Sequence, residues 1–170
     1  MFETSRLHVH PLTHAQLLQC VRIDHSLEQA LQMKPIPRNI SSELKEALDE
    51  TILPNVKASG AQYRFSTLWT AVLNSEQVMV ADLCIMGEPN KDGAIEIGYG
   101  TYEAFQGQGF MTELVGGIVS WTREEPTVKS IKAATDKTNL ASIRVLEKNG
   151  FLKTGETEPQ FFWEISLKWV

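Results

Sequence analysis

The sequence is poor in residues that staple small folds or build metal sites. Its two cysteines, Cys20 and Cys84, lie far apart without Cys-x-x-Cys spacing. That excludes a cysteine-based zinc site and points to a reducing compartment. Histidine is scarce: His8, His10, His14 and His25 all fall within the first 25 residues. No Gly-x-Ser-x-Gly accompanies them, so a hydrolase triad has no support. His8 and His10 would share one strand face, yet no third metal ligand stands near them in the chain. No stretch approaches the roughly 18 apolar residues of a membrane span, and Met1-Phe2-Glu3-Thr4 lacks the regions of a secretory leader. Cationic residues are also outnumbered: 16 Lys and Arg against 21 Asp and Glu give a net charge of −5, with no basic stripe for a phosphate backbone. The expectation is a cytoplasmic protein that engages no metal, no membrane and no nucleic acid directly.

What the sequence does contain is an ordinary globular composition, 42% hydrophobic and 22% charged, which excludes a disordered or fibrous chain. Its 170 residues predict a single domain, 1–170, able to stand without disulfides or metal. Leu7, Val9 and Leu12 alternate as an opening strand would. Thr13 with Gln16 is a capping-box pattern, and Leu17, Leu18 and Val21 supply the buried stripe of the helix it starts. Pro35, Pro37 and Asn39 predict extended chain over 31–41; a second helix then starts near Ser41 or Ser42. Leu44, Leu48 and Ile52 mark its apolar side, and Pro54 should end or kink it.

Strand patterns follow at 64–73, 77–86 and 94–101, separated by turn residues. Met111, Leu114, Val115, Ile118 and Val119 then form a helical face that Pro126 closes. Residues 128–134 read as a strand, and Leu140, Ile143 and Leu146 belong to a helix ended by Asn149-Gly150. Residues 151–154 and 161–167 are the last strands. The order is strand, two helices, three strands, helix, strand, helix, two strands, without a repeat, and that is a mixed α/β domain. Trp69, Trp121, Trp163 and Trp169 suit a core or a homodimer surface better than base stacking.

Chemical information concentrates where the strand 94–101 runs into Gln106-Gly107-Gln108-Gly109-Phe110-Met111 and a helix. Unpaired N–H groups at a helix start favour an anion such as a pyrophosphate, and glycine lets that backbone approach closely. The loop has no Lys or Arg, so a phosphate there would rest on main-chain amides. The plainer alternative is a strand-to-helix turn using glycine for positive φ. No Gly-Lys-Ser or Gly-Lys-Thr follows, which leaves a nucleotide-binding module without its lysine, and Thr112 stands where a dinucleotide fingerprint needs glycine.

Gln106-Gly107-Gln108-Gly109-Phe110-Met111-Thr112 resembles the acetyl-CoA pyrophosphate loop of the GNAT N-acetyltransferases, with Met111 at its last small position. Asn139-Leu140-Ala141-Ser142 with Glu147-Lys148-Asn149-Gly150-Phe151 is similar to that family's second cofactor segment. Glu3-Thr4-Ser5-Arg6-Leu7 and Pro11-Leu12-Thr13 resemble the branch that includes ribosomal-protein N-acetyltransferases. The likeness implies a mixed, mostly antiparallel, twisted sheet of six to seven strands flanked by about four helices. It also implies acetyl-CoA as cosubstrate, a direct transfer in a ternary complex, and an amine acceptor that is a small molecule or a protein N-terminus, held by 13–60 and 154–165.

The resemblance assigns roles. Glu96, in Ile-Glu-Ile, matches a strand glutamate that serves as general base; alternatively it is a solvated strand residue. Main-chain groups of Tyr99, Gly100 and Thr101 would bind the thioester arm and its oxyanion, with Gly98 and Gly100 letting the strand leave its neighbour. Many relatives place a tyrosine where this chain has Leu146, so Ser142 becomes the candidate acid for the departing thiolate, or else a helix residue bonding its own backbone. Asn139 would cap its helix and could also contact the cofactor. Met111 and Leu146 keep a second reading open, a noncatalytic acyl-CoA-binding regulatory domain of the same fold.

Overall fold

A computed structural model describes residues 1–167, apart from the side chain of Glu43. Trp169, a sequence candidate for core or interface, lies outside the described residues. The elements are β1 (Phe2–Glu3), β2 (Leu7–Pro11), α1 (His14–Arg22), α2 (Ser26–Ala30), α3 (Ser42–Ala47), a π-helical turn (Leu48–Ile52), α4 (Leu53–Ala58) and a 3₁₀ segment (Gly60–Phe65). They continue with β3 (Leu68–Leu73), β4 (Val78–Ile85), β5 (Ala94–Thr101), a 3₁₀ turn (Glu103–Phe105), α5 (Phe110–Thr122), β6 (Ser130–Asp136), α6 (Leu140–Lys148), β7 (Leu152–Glu156) and β8 (Gln160–Ser166).

All eight strands join one sheet in the order β1-β2-β3-β4-β5-β6-β8-β7. Neighbours are antiparallel except β5 and β6, which run parallel because α5 carries the chain across between them. One face packs on α5 and α6 through Leu114, Val115, Ile118 and Leu146 against strand residues such as Ile95 and Ile97. The opposite face is covered by α1 to α4, with Leu17, Leu27, Leu48, Ile52 and Val56 over Leu68, Met79 and Cys84. The molecule is thus an α/β sandwich of three layers, and the mixed, mostly antiparallel fold expected from the sequence is the one observed. The strand count exceeds the expected six to seven because the two residues after Met1 already form a short edge strand, Phe2 opposite Val9 and Glu3 opposite His8.

Three local expectations are corrected. Pro54, expected to end or kink its helix, does not end it: the chain stays helical from Ser42 to Ala58, and the irregularity falls in the turn before the proline, which widens to a π-helix. On α1 the buried positions are Leu17 and Cys20, while Leu18 is exposed. The strand expected from 64 starts at Leu68, because 60–65 winds as 3₁₀ and Arg64 gives its carbonyl to the Trp69 indole N–H at 2.9 Å. Trp69, Trp121 and Trp163 are all buried, in the core rather than at a surface. Among the described residues no helix is long and apolar enough to cross a membrane.

Candidate active site

The geometry starts at β5. The N–H of Met86 donates to the Glu96 carbonyl at 3.0 Å, which sets the phase of the β4–β5 ladder. By the alternation of an antiparallel pair, Glu96, Gly98 and Gly100 turn their main-chain groups to β4, whereas Tyr99 and Thr101 turn theirs the other way. On that other side β6 pairs with β5 only from Ala94–Ser130 to Ile97–Ala133, then continues beside β8 alone. The sheet therefore parts after Ile97.

A groove of about 580 Å³ fills the parting, walled by Tyr99 to Thr101, the loop before α5 and the first turns of α6. In that loop Gly107 (φ +73°) and Gly109 (φ +80°) both occupy the left-handed region that side chains resist. Their turns leave the N–H groups of Gln108, Gly109, Phe110, Met111 and Thr112 without an acceptor among the described residues. This is an amide cradle at the start of a 13-residue helix, a fitting seat for a diphosphate. Gln106 and Thr112 line the groove; Gln108 does not, its side chain donating to the Ala104 carbonyl at 3.2 Å. Phe110 is buried under the Arg6 guanidinium, 4.5 Å from its ring centroid.

Arg6 also donates to the Gln108 carbonyl and forms an ion pair with Glu113 at 2.7 Å, so the N-terminal segment braces the loop. Glu113 further accepts from the Thr4 hydroxyl at 2.6 Å and the Arg6 N–H at 2.7 Å. Burial pushes its carboxyl up, but the bonds from Thr4 and Arg6 outweigh it and hold Glu113 below the ordinary carboxylate range.

From α6, Asn139 accepts from the Ser142 N–H at 3.1 Å and caps the helix. The Ser142 hydroxyl meets the Tyr99 hydroxyl at 2.9 Å. Burial pushes the Tyr99 phenol up to about 12, with the Ser142 bond acting weakly the other way, so it remains a neutral proton donor. Arg144 and Lys148, one helical turn apart, also line the groove. The loop's own lack of cations had pointed to amides alone; the cations come from a helix 35 to 40 residues downstream, which local reading of the loop could not show. Met111 and Leu146, the two departures from the family pattern, are buried in the core.

A second cavity, about 610 Å³, opens on the opposite face of β5 beneath α3, the π-turn and α4. Gly98 and Gly100 form its bare floor beside Cys84 and Asp82, their cross-strand partners. A Cβ at Gly100 would meet nothing within 4 Å. Asp82 is buried and accepts from the Tyr102 hydroxyl at 2.5 Å. Burial pushes its carboxyl above the usual range, against the opposing bond from Tyr102. Behind it, Arg38 is clamped to the buried Glu28 through two bonds of 3.0 and 3.3 Å, tying the extended 31–41 segment to α2. Burial disfavours the Glu28 charge, but the Arg38 bonds more than offset it and keep the carboxyl low. Sequence reasoning missed Asp82 and Tyr102; an acid inside the apolar run 78–85 was the available signal.

The two cavities share Tyr99, Gly100 and Thr101 and so meet across one strand. Glu96 lies on the face of the second cavity, solvent-exposed and outside the walls of both. His8 and His10 stack with ring centroids 4.2 Å apart, and among the described residues no group of three potential ligands is placed to hold a metal.

A parted sheet, an amide cradle beside the parting and two cavities meeting at it make a candidate active site with room for a ligand on either side of one strand. Residues 6–152 match the acetyltransferase (GNAT) domain, and the chain belongs to that family: it is a GNAT-type acetyltransferase. It is 26% identical over 163 residues, 96% of either chain, to the uncharacterized N-acetyltransferase YjdG of Bacillus subtilis (strain 168). Among solved structures it superposes on the ribosomal-protein-S5-alanine acetyltransferase from Vibrio fischeri with a TM-score of 0.72 at 16% identity, covering 99% of this chain and 98% of that one. AAC(6')-Ib in complex with paromomycin and acetyl-CoA superposes with a TM-score of 0.64 at 20% identity, over 95% and 94% of the two chains. Both share its fold.

Proposed function

We propose that the chain, acting as a single domain, transfers an acetyl group from acetyl-CoA to a primary amine, small molecule or protein N-terminus, by direct attack in a ternary complex. The observation that carries this reading is the meeting of two cavities at Tyr99–Thr101. Acetyl-CoA is the cosubstrate. Its diphosphate rests on the amides of 108–112, its phosphates face Arg144 and Lys148, and its pantetheine arm runs along the unpaired edge of β5. The thioester then stands at Tyr99–Thr101, where a main-chain N–H pointing into the parting takes the oxyanion.

The acceptor enters from the cavity under α3 and α4. Its nitrogen lone pair attacks the carbonyl carbon; the N–C bond forms, the C–S bond breaks, and the thiolate takes a proton from the Ser142 hydroxyl, which is reprotonated from Tyr99, and Tyr99 in turn from water. The proton lost from nitrogen passes through water to Glu96, whose exposed position two residues before Gly98 requires that bridge. Burial pushes the Cys84 thiol up to about 12 and that of Cys20 up to about 11, so neither supplies the thiolate of a covalent route. Two free, buried cysteines also support a cytoplasmic setting.

Calorimetry with acetyl-CoA and thiol release over a panel of amines test the proposal together. Saturable binding with amine-dependent release is expected, and Glu96→Gln should depress kcat while leaving acetyl-CoA binding unchanged. Absence of any association with acetyl-CoA at millimolar concentration overturns the reading.

A further inference from the structure

The second cavity has a distinctive charge pattern. Its walls are largely apolar, with Leu44, Ala47, Ile52, Leu68, Ile85 and Met86 closing round the bare strand. Asp82 is the one carboxylate among its described walls, and no Lys, Arg or His joins it. Arg38, the nearby buried cation, is already committed to Glu28 by two hydrogen bonds. The Asp82 carboxylate is fixed by the Tyr102 hydroxyl and stands directly across from Gly100, at the point where the two cavities meet.

Resting on the acetyltransferase reading, we propose that the acceptor is a primary monoamine on a compact apolar body, alkyl or aryl, that docks as an ammonium at Asp82 and Tyr102 beside Gly100 and then gives up one proton through water to Glu96, which frees its lone pair for attack. One buried acid offers a partner to one cation. A polyamine or an aminoglycoside would bring further ammonium groups into a cavity whose remaining polar side chains, Asn39, Ser41, Thr51, Asn55 and Ser66 among them, are all neutral, with no second carboxylate among its described walls to pair them. A peptide N-terminus would bring backbone amides against the apolar walls, and each one that meets no side-chain partner there costs a lost hydrogen bond with water. An apolar body instead replaces water over those side chains, and a cavity of about 610 Å³ holds a single small molecule of this kind. The pairing also explains why an acid is retained in a strand whose other residues, from Val78 to Ile85, are all apolar. Burial disfavours the charge of Asp82 even with Arg38 nearby, and an incoming ammonium supplies a counter-charge of its own.

The experiment compares acetylation of phenethylamine and hexylamine with that of spermidine, paromomycin and short peptides beginning with Ala or Ser, at saturating acetyl-CoA. The monoamines are expected to exceed both other classes in kcat/KM by about tenfold or more. Asp82→Asn should raise their KM about 10- to 100-fold, with acetyl-CoA affinity by calorimetry unchanged. Should that variant fail to fold, Ala47→Phe fills the same cavity from the helix side and is expected to raise the monoamine KM without touching the cofactor groove. Preferential acetylation of a peptide or a polycation, no turnover of either monoamine, or an unchanged KM in both variants overturns the proposal. Loss of acetyl-CoA binding by the wild-type protein would instead overturn the underlying acetyltransferase reading.

Discussion

The hydroxyls of Ser142 and Tyr99 touch at 2.9 Å although one belongs to a helix and the other to a strand 43 residues earlier. Replacing Ser142 by alanine removes the donor while leaving the Asn139 cap, which uses the main-chain N–H of residue 142. If the hydroxyl protonates the thiolate, Ser142→Ala lowers kcat by at least about 10-fold, with little change in the KM for acetyl-CoA. Steady-state kinetics with the Tyr99→Phe variant alongside checks this, since a packing role would leave kcat in place. At Glu113 the effect is on stability. Its carboxyl is held low when folded, so its contribution is present above the unfolded value and disappears as pH falls through the folded one. The melting temperature should therefore drop on acidification below about pH 4.5. Glu113→Gln should cost about 1–3 kcal/mol at neutral pH and flatten that acid limb, measured by thermal unfolding from pH 3 to 7.

At the level of elements, the loop before α5 depends on two positive φ angles. Gly107→Ala meets no neighbouring atom, and at Gly109 an added Cβ would sit 3.5 Å from Arg6 Nη2, an ordinary contact. The penalty in both is backbone strain of about 1–2 kcal/mol. It falls on the amides that face the groove, so acetyl-CoA affinity should fall by about 5- to 30-fold in each variant with the fold retained, as calorimetry and far-ultraviolet dichroism would show. Elements with a local cause were legible in the sequence. The Thr13–Gln16 capping box forms as written, and β5 spans the expected 94–101. Elements set by partners were not. Leu18 faces water because a nine-residue helix buries one narrow stripe, which Cys20 completes; the cysteine had been weighed for redox chemistry rather than as an apolar residue. Pro54 is tolerated because the turn before it widens, a choice made by the packing of Leu48 and Ile52 and not by the proline.

For the whole molecule, the groove proposed for the cofactor was legible because its parts are contiguous: Gln106 to Thr112 is one loop and Asn139 to Ser142 one helix start. The proposed acceptor half was legible only as the span 13–60, which contains α3 and α4; none of 154–165 lines the second cavity, and Asp82 and Tyr102 join Gly100 only when the sheet is assembled. The same assembly settles an electrostatic problem. A body of net charge −5 repels a polyphosphate at long range, and the loop proposed to receive one carries no cation. Arg144 and Lys148 supply a local positive site at the groove, arriving from α6. Neutralising both, as Arg144→Ala with Lys148→Ala, should weaken acetyl-CoA binding about tenfold at low salt. The deficit should shrink as ionic strength rises toward 0.5 M, about where the screening length falls below 5 Å. Calorimetry at three salt concentrations tests it: a deficit independent of salt would mean that the two side chains act by shape, and equal affinity throughout would leave the amides of 108–112 as the sole phosphate contact.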